Sequence, residues 1–271
     1  IGLLATQRTY FEGGSGSLAA ADVNLRVSDA LRFKAEVAFS DTREAIANWI
    51  TGGEDFKGRT AALDGERFQG MAMYAGLVRQ SKHWTLRADV MGQSPMFRAE
   101  MGFEPQNDWM RYEAGASYNG FPNKKYIKTW GLYQEATQFR YFDGTLRQNH
   151  HLAWGWIQWG GNFRSSFFHR YRFDEVFKNQ HFSNLRTVGA NLNWKPSQTF
   201  NVGLECNAGQ SIAYNETPLR AGREANVALD FQIQVGGQLR WNHILVHSQM
   251  HELDGSDLIY RGFIYRSGLE W

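Results

Sequence analysis

Ala225-Asn226-Val227-Ala228-Leu229-Asp230-Phe231-Gln232-Ile233-Gln234-Val235 alternates apolar with mostly polar residues. Ala225, Val227, Leu229, Phe231, Ile233 and Val235 form one set, and Asn226, Ala228, Asp230, Gln232 and Gln234 the other. Successive side chains of a β-strand point to opposite faces, so this stretch reads as a strand with one greasy and one wet side. The pattern repeats at Phe200 to Gly209, Val188 to Lys195, Leu31 to Phe39 and Met110 to Asn119.

Composition narrows the class. The mean hydropathy is −0.50, yet aromatic residues make up 15% of the chain, with 10 Trp and 19 Phe. A charged or amide side chain interrupts every apolar segment well before the roughly 18 residues a membrane-spanning helix needs. Strands of a β-barrel hide only every second side chain in lipid and escape that requirement. The 271 residues show no Pro/Ser linker and no charge block, so residues 1–271 read as one domain. Cys206 is the only cysteine and cannot form an internal disulfide. A net charge of +2 with interspersed signs argues against nucleic acid as a partner. The sequence opens at Ile1 without a charged n-region or apolar h-region, which leaves location open.

Alternating segments and turn signals predict about 14 strands, near residues 1–9, 18–27, 31–40, 68–80, 83–94, 109–120, 126–142, 148–160, 162–174, 183–195, 198–209, 222–235, 238–249 and 256–271. Tight turns are expected at Ser28-Asp29-Ala30, Ser81-Lys82, Gly161-Asn162, Pro196-Ser197 and Gly236-Gly237, with longer loops between them and the longest near Asp41 to Arg67. Strands of about 10 residues match the 9–11 that cross lipid obliquely, whereas soluble strands have about 5 or 6. A barrel of this many strands is too wide for side chains to fill, so its apolar face must turn outward. The expected fold is an all-β, antiparallel, up-and-down transmembrane barrel with both chain ends at the short-turn rim.

Short motifs carry a resemblance. Ile1-Gly2-Leu3-Leu4-Ala5-Thr6-Gln7-Arg8, Ala21-Asp22-Val23-Asn24-Leu25-Arg26 and Phe39-Ser40 resemble a family of outer-membrane proteins that place a carbohydrate-binding-module-like (family-nine-like) domain before the barrel. Gly102-Phe103-Glu104-Pro105-Gln106-Asn107-Asp108 is similar to a further element of that family, with Gln106 where a basic residue is usual. The resemblance implies a bacterial outer-membrane location, a preceding domain not contained in this sequence, and further barrel strands both before Ile1 and after Trp271. The aromatic ending Phe263, Tyr265, Leu269 and Trp271 on one face speaks for a terminal barrel strand instead.

With apolar faces outward, Arg32, Lys34, Glu36, Arg87, Asp89, Arg111, Glu113, Arg164, Arg170, Arg172, Glu205, Asp230 and Arg266 are expected to face a lumen, joined by Asp22, Arg26, Asp174, Lys195 and Glu224. Charges of both signs suit either a hydrated pore or a network of ion pairs. Arg164, Arg170 and Arg172 form the densest basic ladder, suited to an anion-attracting wall. His243, His247 and His251 are spaced by four, which on a strand separates them by about 13 Å, too far to chelate one ion. His150-His151 adds no metal set. The nearest approaches to a catalytic constellation are His251, Glu252 and Asp254, and Ser165-Ser166 with His169, neither sufficient without geometry. The reading is therefore a non-enzymatic barrel without cofactor or metal, embedded in outer-membrane lipid. It either passes polar solutes, saccharides among them, or serves as a structural or docking barrel for a periplasmic domain or other envelope proteins.

Overall fold

Backbone pairing extends the alternating segments into one antiparallel sheet. The computed structural model describes residues 1–11, 13–47, 64–99 and 107–271. Among them there is no helix, and fourteen strands follow in chain order: β1 (Gly2–Thr9), β2 (Ser15–Arg26), β3 (Leu31–Arg43), β4 (Arg67–Gln80), β5 (Trp84–Gln93), β6 (Trp109–Gly120), β7 (Ile127–Arg140), β8 (Leu146–Trp159), β9 (Phe163–Phe177), β10 (Gln180–Trp194), β11 (Phe200–Ala213), β12 (Arg220–Val235), β13 (Leu239–Glu252) and β14 (Leu258–Glu270). Spatial order equals sequence order, so every connection joins neighbours in an up-and-down array. The all-β, antiparallel up-and-down array and the strand number expected from alternation are those observed. The Gly102–Gln106 part of the family-like element lies outside the described residues.

Contacts gather the sheet into two compact units, Ile1–Ser81 with Leu86–Ala114 and Thr137–Arg147, and Lys82–Thr85 with Gly115–Ala136 and Gln148–Trp271. In the first, Asp22 pairs Glu36, Arg26 pairs Arg32, and Glu36 pairs Tyr74. These pairs share one polar face, while Leu25, Phe39 and Leu77 stand exposed on the other. In the second unit, Asn193, Gly203 and Asp230 lie side by side across β10, β11 and β12, with Arg164 beside Asn193 and Ile244 beside Asp230. Phe167, Val188, Trp194 and Val227 occupy the opposite face, and Phe167 and Val188 are more than half exposed. Large apolar side chains open to the surroundings on one face of a polar-backed sheet are unlike a soluble core.

That apolar face carries an aromatic belt at its tight-turn end. In the second unit Trp84, Tyr118 and Trp130 pack with ring centroids 4.9 and 5.4 Å apart, and Trp159 stacks on Phe163 at 6.5 Å. The indole of Trp159 donates to Ser165 Oγ, and that of Trp241 to Ser267 Oγ, each at 2.8 Å, which satisfies the one polar atom of each ring.

Tight turns occur where expected, but the strands continue past the predicted ends on the opposite rim. β3 reaches Arg43, β11 reaches Ala213 and β13 reaches Glu252. Backbone ladders do not depend on side-chain polarity, so pairing persists after alternation has faded. The longer loop expected between residues 174 and 183 is instead a two-residue hairpin: Lys178 and Asn179 have φ of 47° and 61°, as a type I′ turn requires.

Candidate functional site

The chemistry-bearing side chains gather on the polar face, and each unit builds its own cluster. On β5 and β6, Arg87 pairs with Glu113 at close contact, and Arg111 reaches Asp89 at 3.4 Å and Glu113 at 3.6 Å. The Glu113 side chain is 4% exposed, so both cations serve to neutralise a carboxylate withdrawn from water. Tyr74 and Asp89 both lie against the space where a Cβ on Gly76 would sit, which places Asp89 of β5 on the same polar face as Tyr74 of β4.

Beside this cluster the chain after β5 folds across the polar face. Ser94 remains in the ladder, its N–H donating to the Met71 carbonyl at 2.9 Å and its hydroxyl accepting from the Met71 N–H at 2.8 Å. The backbone then passes over Gly70, where a Cβ would lie 2.2 Å from Phe97 Cα, so only glycine permits the approach. Arg98 N–H donates to Ser40 Oγ at 3.1 Å, and its guanidinium lies 4.3 Å from the Phe68 ring centroid and 3.0 Å from Glu44 Oε1. Phe68, Phe97, Ser40 and Thr42 are buried beneath or within this crossing. An apolar Phe68 on the polar face is thereby explained, because protein rather than water covers it.

In the second unit Arg172 and Glu175 form an ion pair at 2.6 Å, each side chain about 10% exposed. Tyr214 donates its hydroxyl to Glu175 at 2.6 Å, and Arg172 Nη2 lies 3.4 Å from Ser211 Oγ. Plain alternation would put Asp174, not Glu175, on the face of Arg172. The register between β8 and β9 shifts by one after His150–Arg172, leaving Phe173 as the extra residue of a β-bulge. The bulge carries Glu175 round to Arg172, and Asp174 pairs with His181 at 2.9 Å instead. Expectation of Asp174 beside the arginine ladder is corrected accordingly.

No family model, no curated protein and no solved structure matches the chain.

The remaining sequence-derived residues fall on the same polar faces. Arg32, Lys34 and Glu36 alternate along β3 and are exposed; Arg164, Arg170, Glu205, Asp230 and Arg266 are exposed in the second unit. Thus the basic ladder divides: Arg172 is tied to Glu175, while Arg164 and Arg170 make no ion pair among the described residues and lie 5.2 and 6.0 Å from the ring centroids of Trp156 and Phe168.

The proposed constellations do not converge. His251 pairs Arg223 and Glu252 pairs Gly222, so neighbouring residues of β13 point to opposite faces. Ser165 and Ser166 are likewise on opposite faces, and Ser165 is engaged by Trp159. His243 is buried on the apolar face, stacked 4.3 Å from Phe231 and 3.0 Å from the Tyr265 hydroxyl. His247 follows on that same face opposite Val227, consistent with wide spacing rather than a shared ligand point. Three carboxylates of the predicted longest loop do meet: Glu44, Asp64 and Glu66 bring oxygens within 4.8 Å of one another. The pairing of Ile46 with Asp64 and the hydrogen bond from Glu44 N–H to the Glu66 carbonyl bring them together, which residue order alone does not disclose.

Proposed function

We propose that the chain forms the membrane-embedded wall of a bacterial outer-membrane β-barrel whose polar face passes polar solutes, saccharides among them. The observation that carries this reading is the segregation of the two faces. Exposed Leu25, Phe39, Phe167, Val188 and Trp194 suit lipid, while Arg32, Lys34, Glu36, Arg164, Arg170, Glu205, Asp230 and Arg266 suit a hydrated lumen. The aromatic belt at the tight-turn ends fits the interfacial girdle of such barrels. The motif resemblance supports the same location. Partners on this reading are lipid and the solute itself, and no nucleic acid.

The test is conductance. Folded protein reconstituted into a planar bilayer should give discrete current steps, and protein that inserts fully yet never conducts overturns the channel reading.

A second reading, a docking barrel that anchors a periplasmic domain or other envelope proteins, is favoured by the crossing of Ser94–Arg98 over the polar face, which removes part of that face from water. Substituting Gly70 distinguishes the two. A Cβ at position 70 cannot coexist with Phe97 in its present place, so Gly70→Ala should displace the crossing. Conductance that rises in Gly70→Ala favours a constricted channel; a silent variant that remains folded favours the anchor.

A further inference from the structure

We propose that the polar face of β8 and β9 is a binding track for carboxylate-bearing saccharides, an assignment that rests on this face being open to water. Large rings are uncommon on a hydrated face, yet Trp154, Trp156 and Phe168 stand on this one. Phe168 is paired directly with Trp154, and Trp156 lies two residues further along β8, opposite Ser166. The facing is independently fixed, since a Cβ on Gly131 would meet the Trp156 indole and the Asn119 amide oxygen, and one on Gly189 would meet the Phe168 ring. None of the three rings is fully buried.

Their spacing is regular. Pairing puts Trp154 and Phe168 about 5 Å apart at Cβ, and the step from Trp154 to Trp156 is about 6.8 Å along the strand. A run of rings at this spacing offers successive flat apolar surfaces to a ligand that carries several of its own. Pyranose rings match, because their C–H faces stack on aromatic rings while their hydroxyls turn to polar neighbours. An all-apolar ligand does not match, since it would desolvate the guanidiniums beside the rings.

Charge supplies the second half of the specificity. Arg164 and Arg170 flank the rings, are exposed, and have no carboxylate partner among the described residues. Their neighbour Arg172 shows the contrast, being neutralised by Glu175 at 2.6 Å. A guanidinium held against a ring keeps its edge N–H groups free for a bidentate contact, the geometry that favours a carboxylate over a hydroxyl. Rings plus two free guanidiniums therefore select an acidic over a neutral sugar.

The experiment uses the folded protein in detergent micelles, titrated with a trimer of galacturonic acid and with a neutral glucose trimer while tryptophan fluorescence is followed. The same sugars are then added to bilayers holding the protein. The acidic trimer is expected to bind about tenfold more tightly than the neutral one, roughly the worth of one charge-assisted bidentate contact. Trp156→Ala should weaken both trimers, with Trp156→Phe restoring most of the loss. Arg164→Gln and Arg170→Gln should reduce the acidic trimer to about the affinity of the neutral one, a loss much larger than any change in the neutral one. Equal affinity of the native protein for both trimers overturns the charge assignment, and binding of neither overturns the track. Binding in micelles without conductance in bilayers would sink the channel reading and leave the track standing; conductance without binding would do the reverse.

Discussion

Individual side chains at the loop rim carry distinct pH signatures. Burial, then the hydrogen bond to Glu175, pushes the Tyr214 phenol up to about 12. For an acid whose folded pKa exceeds its ordinary value, the associated stability is present below that ordinary value, near 10, and is lost as pH rises through about 12. Absorbance titration of the folded protein should therefore show a phenol that resists ionisation until about pH 12, missing in Tyr214→Phe. Losing a hydrogen bond to a charged acceptor should cost that variant about 1.5–3 kcal/mol of unfolding free energy at neutral pH. Glu44 behaves alike in sign: burial pushes its carboxyl above the usual range, against the pull of Arg98. Its stabilising contribution is present below the ordinary carboxyl pKa and falls as pH rises through the raised one. Thermal unfolding should show native protein gaining more from acidification toward the ordinary carboxyl range than Glu44→Gln does; equal gains would contradict this. Neither residue was singled out by sequence reading, because the partners Arg98 and Glu175 are brought in by a chain crossing and a bulge, neither of which leaves a periodic mark.

Facing is the property of an element, and it makes a sharp comparison on β12. Leu229 and Asp230 are adjacent, and the register puts Asp230 beside Gly203 on the polar face and Leu229 beside Leu204 on the apolar one. Arginine in place of Leu229 should impair refolding into bilayers by about 2–4 kcal/mol, whereas Asp230→Ala should change it little. Equal damage from both would refute the facing. The β9–β10 turn offers a change in the other direction. Lys178 occupies a left-handed conformation that costs a non-glycine residue about 1 kcal/mol, so Lys178→Gly should raise stability by up to about that amount in denaturant titration. Strand ends at the tight-turn rim were legible because apolar alternation runs right up to them. At the other rim, residues such as Asp41, Thr42 and Arg43 remain paired after alternation has given way to polar side chains on both faces. β13 departs from simple polarity: it puts Ile244 and Val246 on the polar face and His243 on the apolar one, a choice fixed by its pairing with Asp230 and Phe231.

At the scale of the molecule, the sequence disclosed the fold class more fully than the site. Strand number and order follow from local periodicity repeated along the chain, and every connection joins neighbours. Site geometry depends on contacts distant in sequence, such as Arg98 on Ser40 and Arg172 near Ser211. Within each unit, alternation already groups the charged residues of neighbouring strands by face; the division of the arginines into neutralised Arg172 and, among the described residues, unpaired Arg164 and Arg170 leaves no such mark. One whole-molecule expectation follows from the channel reading. Replacing Arg164 and Arg170 together with Gln should shift ion selectivity toward cations, measured as reversal potential in a salt gradient, and an unchanged potential would place those residues away from the conduction path.

The β9–β10 hairpin has a consequence for height. Each strand has 15 residues, while about 9–11 suffice to cross the hydrocarbon. On the proposed membrane reading, with the belt residues Trp159 and Phe163 at one interface, the surplus of about 4–6 residues per strand rises beyond the other. The proposed wall thus ends in a crest standing roughly 10 Å or more clear of the lipid on the far side, with Lys178 and Asn179 at its tip. A crest of that kind is a mast: a short epitope spliced between those two residues would stay out of the lipid-facing band, and whether antibody reads it on intact cells or only after permeabilisation would report which side of the membrane the hairpin occupies.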